Sequence, residues 1–150
     1  MVMEPNTPPQ GRSRALPDAQ RLKRQRLIRP LFDRDRDDVG AVARGAIRIV
    51  YRILARTEAG VSVPLQVGFA PGRRARTHVE RNRIKRLLRE VYRHHRHALD
   101  DLLSAHPEQV LVMMILFRGE PSAAGEAIPI DLPAAFQVLQ TKIQEGFFPA

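Results

Sequence analysis

The sequence predicts an α+β two-layer sandwich: a mixed sheet with helices on one face, in the order α-β-β-α-β-α, with room for an extra short strand. Three stretches carry that prediction. "AIRIVYRIL" (46–54) alternates and is rich in β-branched residues, as a half-buried strand should be. "VLVMMILF" (110–117) is apolar at every position, the pattern of a central strand covered on both faces. "THVERNRIKRLLREVYRHHRH" (77–97) sorts apolar and basic residues onto opposite sides at helical period.

The chain is 150 residues long with 43% apolar residues, enough for a single core. Residues 1–17, rich in proline and polar residues, are expected to be a disordered tail. A single domain over 18–146 and a short tail at 147–150 complete the expected organisation. Within the domain, Pro30 interrupts "RLKRQRLIRPLFDR", so a helix of two or three turns around 26–35 is expected to bury Leu27, Leu31 and Phe32. "DRDRDDVG" (33–40) alternates in sign and reads as a solvated turn rather than a metal-binding cluster.

In the first strand Ile47, Ile49, Tyr51 and Ile53 share one face; Arg48, Val50, Arg52 and Leu54 share the other. "EAG" (58–60) is a turn, and "VPLQVGFA" (63–70) a second strand, most simply antiparallel to the first. "RGEPSAAGEAIP" is expected to be a loop. A last helix from about Asp131 then buries Leu132, Phe136, Leu139 and Ile143.

The charge is local. Net charge is +9, yet residues 73–97 hold 10 basic against 2 acidic side chains, and residues 98–150 hold 2 against 7. "THVE" is a capping box that starts the basic helix at Thr77, with an end between 98 and 105. Arg81, Asn82, Lys85, Arg86, Arg89, Arg93 and Arg96 fall within about 140° of one another around that helix. Ile84, Leu87, Leu88, Val91 and Leu102 lie on the other side. Like charges at i, i+3 and i+4 repel by a few tenths of a kcal/mol per pair. A face built only for solubility would interleave glutamates, whereas Glu80 and Glu90 lie off the stripe. Such crowding fits a polyanionic partner. Arg73, Arg74 and Arg76 extend the charge to the helix N-terminus, where free amides also favour phosphate.

"RNRIKRLLRE" (81–90) resembles the signature of the protein component of bacterial ribonuclease P. "QVGFAPGRRARTHVERNRIKRLLREVYR" (66–93) resembles that family's strand, basic turn and helix in order. "RLKRQRLIRPLF" followed by "IRIVYRIL" resembles its N-terminal helix and first strand, and the likeness covers about 18–145. The resemblance implies a left-handed βαβ crossover, also known from a related ribosomal-protein domain. It implies a protein subunit that binds the catalytic RNA and the 5′ leader of precursor tRNA. The RNA carries the active site and uses Mg2+ to remove the leader, and no metal site is assigned to the protein. Arg73, Arg74, Arg76, Arg81, Asn82, Arg83, Lys85, Arg86, Arg89 and Arg93 are the implied RNA contacts. Phe32 and Tyr51 match positions lining the family's leader-binding cleft. The chain departs from the family at "APGRR", where serine and lysine are frequent, and at Ile28, where many members carry another aromatic.

Cysteine is absent and the longest apolar run is too short to span a bilayer, so a cytoplasmic protein without a membrane partner is expected. Histidines 78, 94, 95, 97 and 106 have no carboxylate at metal-ligand spacing and no nucleophile arrangement, and read as surface residues beside arginines. The alternatives are a structural, ribosomal-protein-like RNA binder and a DNA-binding regulator that uses 81–96 as its recognition helix.

Overall fold

The computed structural model describes residues 16–147. The N-terminal segment forms a short 3-10 turn (Asp18–Gln20), then helix α1 (Gln25–Ile28), which tightens into a 3-10 turn over Arg29–Phe32. There follow β1 (Val39–Arg44), β2 (Ile47–Ala55), the helical turn α2 (Arg56–Ala59) and β3 (Leu65–Ala70). Helices α3 (His78–His95) and α4 (His97–Ser104) lead to β4 (Gln109–Phe117). Helix α5 (Ala124–Lys142) closes the fold and runs into a π-helical turn at Ile143–Phe147. The expected tails, 1–17 and 147–150, lie almost wholly outside the described residues. Leu16, at the boundary, is buried.

The sheet is mixed, in the order β1-β2-β4-β3. β4 is central, as its two-sided apolarity predicts: β2 pairs with it antiparallel and β3 parallel. The expected hairpin between 46–54 and 63–70 does not form. β4 lies between those strands, and β1 takes the antiparallel place beside β2 across a two-residue turn, Gly45–Ala46. β1 is the extra short strand. Its "VGAVAR" is made mostly of small residues with weak β preference, so periodicity alone marks it faintly. The edge of β3 is partly covered by the N-terminal segment, where the Leu22 amide donates to the Val67 carbonyl at 3.1 Å.

Strand parity divides the core as the sequence implies. Ile47, Ile49, Tyr51 and Ile53 pack with α3, α4 and α5 on one face. Val50, Leu54, Val110 and Val112 pack with Leu22, Leu27 and Leu31 on the other. The long helices therefore share one face, and the N-terminal segment covers part of the second.

α3 begins with both hydrogen bonds of the capping box: the Glu80 amide donates to Thr77 Oγ1 at 3.0 Å, and the Thr77 amide donates to Glu80 Oε1 at 3.2 Å. The helix breaks at Arg96, which rephases the apolar side. Ile84, Leu88 and Tyr92 are buried in α3, but in α4 it is Leu99 and Leu103, and Leu102 is only partly covered. α5 starts at Ala124 rather than Asp131. Its two internal prolines, Pro129 and Pro133, lie toward the outer side. Ala124, Ile128, Leu132, Phe136 and Leu139 are fully buried, and that packing outweighs the roughly 3 kcal/mol cost of an interior proline.

Removing the cap hydroxyl leaves an amide of α3 unsatisfied. Thr77→Ala is expected to cost about 1 kcal/mol of stability, within a range of about 0.5–2. Urea denaturation checks this as a lower midpoint with an unchanged slope.

Candidate nucleic-acid interface

The N-terminal segment stops covering the sheet at Phe32, and an open groove of roughly 780 Å3 begins there. Its floor is the uncovered sheet: Ala41 of β1, Arg48 and Val50 of β2, and Leu116 of β4. Leu31 and Phe32 form one wall. Arg73 and Arg74, from the turn after β3, form another, with Arg34, Arg36 and Arg118 around the rim. Phe32 is 50% exposed, so the expectation of a buried ring is corrected: Leu27 and Leu31 fill the core, and the next side chain is turned outward. Ile28 is partly covered against the second core cluster.

Tyr51 is not part of this groove. It is 1% exposed, on the helix-covered face with the isoleucines of its strand. Its ring lies over Gly40, its cross-strand partner, where any Cβ would collide with it. Burial raises the pKa of its phenol. The side chains that β2 does present to the open face are Arg48, Val50 and Arg52.

Arg52 is 8% exposed and paired with two carboxylates. Its Nε donates to Asp38 Oδ2 at 2.8 Å and its Nη2 to Glu58 Oε2 at 2.9 Å. Arg36 donates to both oxygens of Asp38, each at 2.9 Å. Together these contacts fasten the 33–38 turn, with Arg34 and Arg36, to the sheet beside the groove. "DRDRDDVG" is thus partly a structural clamp, with Asp38 as its pivot. Among the described residues no three histidine, aspartate or glutamate side chains cluster to hold a metal ion.

The "APGRR" turn connects the groove to the basic helix. Gly72 has φ of 88°, and a Cβ there would collide with the Phe117 carbonyl oxygen, so glycine permits the close approach. Arg81 Nη1 donates to the carbonyls of Gly72 (3.3 Å) and Ala75 (3.0 Å), holding the turn against the first turn of α3. Arg74 pairs with Glu120 at 3.0 Å, and Arg83 Nη1 lies 3.4 Å from the Pro121 carbonyl.

Along α3, Arg81, Asn82, Arg83, Lys85 and Arg86 are exposed, and Arg89 and Arg93 are half-buried. Arg76 and Arg73 are exposed beside them. Arg93 pairs with Glu90, and Arg96 with Asp100 at 3.2 Å, so the C-terminal part of the stripe is neutralised locally; Glu90 is less remote from it than the helical wheel implies. Among the described residues Lys85, Arg86 and Arg89 form no ion pair. The C-terminal acids do not reach them: Asp131, for one, accepts from the Ala46 amide at 2.9 Å. Open cations therefore run from the groove, through Arg73, onto α3. The sequence pointed to the helix but missed Arg34, Arg36, Arg48 and Arg118; strand parity had already put Arg48 on this face.

An α+β protein with an arginine-lined groove opening onto a basic helix is the class that fold and site define. The ribonuclease P family model matches residues 16–118, more than two-thirds of the chain. The chain belongs to the ribonuclease P protein family, which gives it the role of a ribonuclease P subunit in tRNA processing. Neither the curated proteins nor the solved structures compared with it give a match. Among the described residues no helix is long and apolar enough to cross a membrane.

The clamp predicts a pH signature. The hydrogen bonds from Arg36, then the one from Arg52, hold the Asp38 carboxyl well below the usual carboxylate range, against the opposing effect of burial. A depressed folded-state pKa gives stability that is complete above the unfolded value of about 3.9 and is lost as pH falls through the folded value. Asp38→Asn is therefore expected to be less stable than wild type at pH 7. Below about pH 4 the gap should narrow, and thermal melting across that range checks it.

Proposed function

We propose that the chain binds the catalytic RNA of ribonuclease P through α3 and the 5′ leader of precursor tRNA in the groove. Magnesium-dependent hydrolysis is assigned to the RNA subunit. The observation that supports this most is the continuity of cations, unpaired among the described residues, from Arg48, Arg73 and Arg118 at the groove to Lys85, Arg86 and Arg89 on the helix. One side offers a track for an unpaired strand and the other a convex basic face for structured RNA.

Each part has a distinct physical task. Guanidinium groups take phosphate oxygens through paired N–H donors, and their charge replaces the counterions that the RNA releases. The exposed Phe32 ring offers a stacking platform for one leader base, a contact that contributes about 1–3 kcal/mol. Arg81 and Arg83 combine outward exposure with contacts to backbone carbonyls: Arg81 fixes the turn relative to the helix, and Arg83 ties the helix to Pro121, ahead of α5. Holding the leader while the helix grips the catalytic RNA brings substrate and active site together, which lowers the demand for screening metal ions.

The direct test is reconstitution with bacterial ribonuclease P RNA at low magnesium, where the chain is expected to stimulate precursor cleavage. Absence of stimulation, with RNA binding retained, leaves the structural RNA-binding reading. In the same assay Phe32→Ala is expected to weaken leader-bearing precursor about five- to a hundred-fold while leaving mature tRNA nearly unchanged. Equal losses on both substrates contradict the stacking role.

Lys85→Ala with Arg86→Ala removes two cations that form no side-chain hydrogen bond or ion pair among the described residues. Affinity for the RNA subunit is expected to fall, and the log–log salt slope to flatten by up to about 2. A salt titration that leaves the slope unchanged removes the helix from the interface.

A further inference from the structure

A second groove, of roughly 560 Å3, lies at the other end of the N-terminal segment. Arg21, Lys23 and Arg24 approach it from that segment, Arg56 from the start of α2, and Gln66 from β3. Asp18, paired with Lys23, is the carboxylate in its lining. Arg48 and Arg56, which mark the two grooves on or beside β2, are eight residues apart. At about 3.3 Å per strand residue the two sites are therefore separated by roughly 26 Å.

Two buried polar atoms in this lining lack partners among the described residues: Gln66 Oε1, an acceptor, and Arg56 Nε, a donor. Gln66 is 7% exposed, and its Nε2 donates to the Ala19 carbonyl at 2.8 Å, which fixes the amide plane. The neighbouring cations are only partly used: Arg24 Nη1 reaches the Gly60 carbonyl at 3.4 Å and Arg56 Nη1 the Ser62 carbonyl at 2.8 Å. Each guanidinium has five N–H donors, so most remain available. Both atoms are sealed from solvent, so contact with a ligand falls to the cations, which suit phosphate oxygens such as those along a ribose-phosphate chain.

We propose that this second groove holds a ribose-phosphate segment of the ribonuclease P RNA, separate from the contacts of α3 and from the leader groove. The inference rests on the reading of the chain as the ribonuclease P protein. It gives that protein a further anchor roughly 26 Å from the first groove, so that a structured RNA is held at both ends of the sheet.

The test compares wild type with Lys23→Gln/Arg24→Gln and with the single surface variant Lys23→Glu, each checked by thermal melting. Binding to ribonuclease P RNA is titrated against salt, and binding of a leader trinucleotide, too short to bridge the grooves, is measured in parallel. The double variant is expected to weaken RNA binding and flatten the salt slope by up to about 2, with trinucleotide affinity unchanged. Lys23→Glu should weaken RNA binding in the same selective way. An unchanged slope in both variants overturns the proposal, and so does an equal loss on the trinucleotide, which would merge the two grooves into one site. Inorganic phosphate that raises the wild-type melting temperature at constant ionic strength, with no change of RNA slope in the variants, assigns the groove to free anions and overturns the RNA assignment. Wild type that fails to bind the RNA at all sinks the underlying function instead, an outcome visible before any variant is compared.

Discussion

The burial of β4 on both faces governs the rest of the molecule. Eight consecutive apolar residues cannot sit at an exposed sheet edge, so the strand takes a neighbour on each side and a layer above and below. Its parallel neighbour, β3, requires a crossover of a dozen or more residues. That crossover is α3 and α4, and it must bury Ile84, Leu88, Tyr92, Leu99 and Leu103 to cover the sheet. Committing those residues inward leaves the basic side of α3 outward. The opposite face is covered by a segment too short for the whole sheet, and the groove lies where its coverage ends, at Phe32. The groove and the basic helix are thus two consequences of one buried strand.

What was legible in the sequence follows from what local pattern can encode. Alternation over 46–54 placed each β2 side chain on its correct face, because a period of two leaves no freedom once one face is buried. The capping box placed the start of α3, because both of its hydrogen bonds lie within four residues. Pairing partners are not legible: alternation says that a strand has two faces but not which strand lies beside it, so the simplest reading pairs β3 with β2, whereas the small residues of β1 fill that place. The start of α5 was hidden by two prolines that are tolerated only because tertiary burial outweighs their local cost. Arg96 ends one helix and precedes the next, a break that no periodicity announces, and that moved Leu99 and Leu103 inward in place of Leu102.

Among the site residues, Tyr51 shows why resemblance and parity must be weighed together. The likeness to the family placed it in the cleft, whereas its alternation with three isoleucines placed it in the core, and Gly40 opposite makes room for its ring there. Parity prevailed because leaving the core would reverse the whole strand. The same logic raises Arg48, whose phase puts it on the groove floor although no motif singles it out.

Arg48 and Arg52 lie four residues apart on the same face of β2, yet the fold treats them differently. Arg52, under the 33–38 turn, is buried and meets two carboxylates; a buried guanidinium without such partners would be strongly destabilising. Arg48 opens into the groove and forms no ion pair among the described residues. Where the fold itself needs a cation, it supplies the counter-charge; where cations remain open, they follow the groove and the outer side of α3. A groove lined by several guanidinium groups and one exposed ring carries little hydrogen-bonding information about base identity. Phosphates look alike in every sequence, and every base has a face that can stack. Such a surface suits a partner that varies in sequence but not in backbone chemistry, which is what the proposed leader-binding role requires.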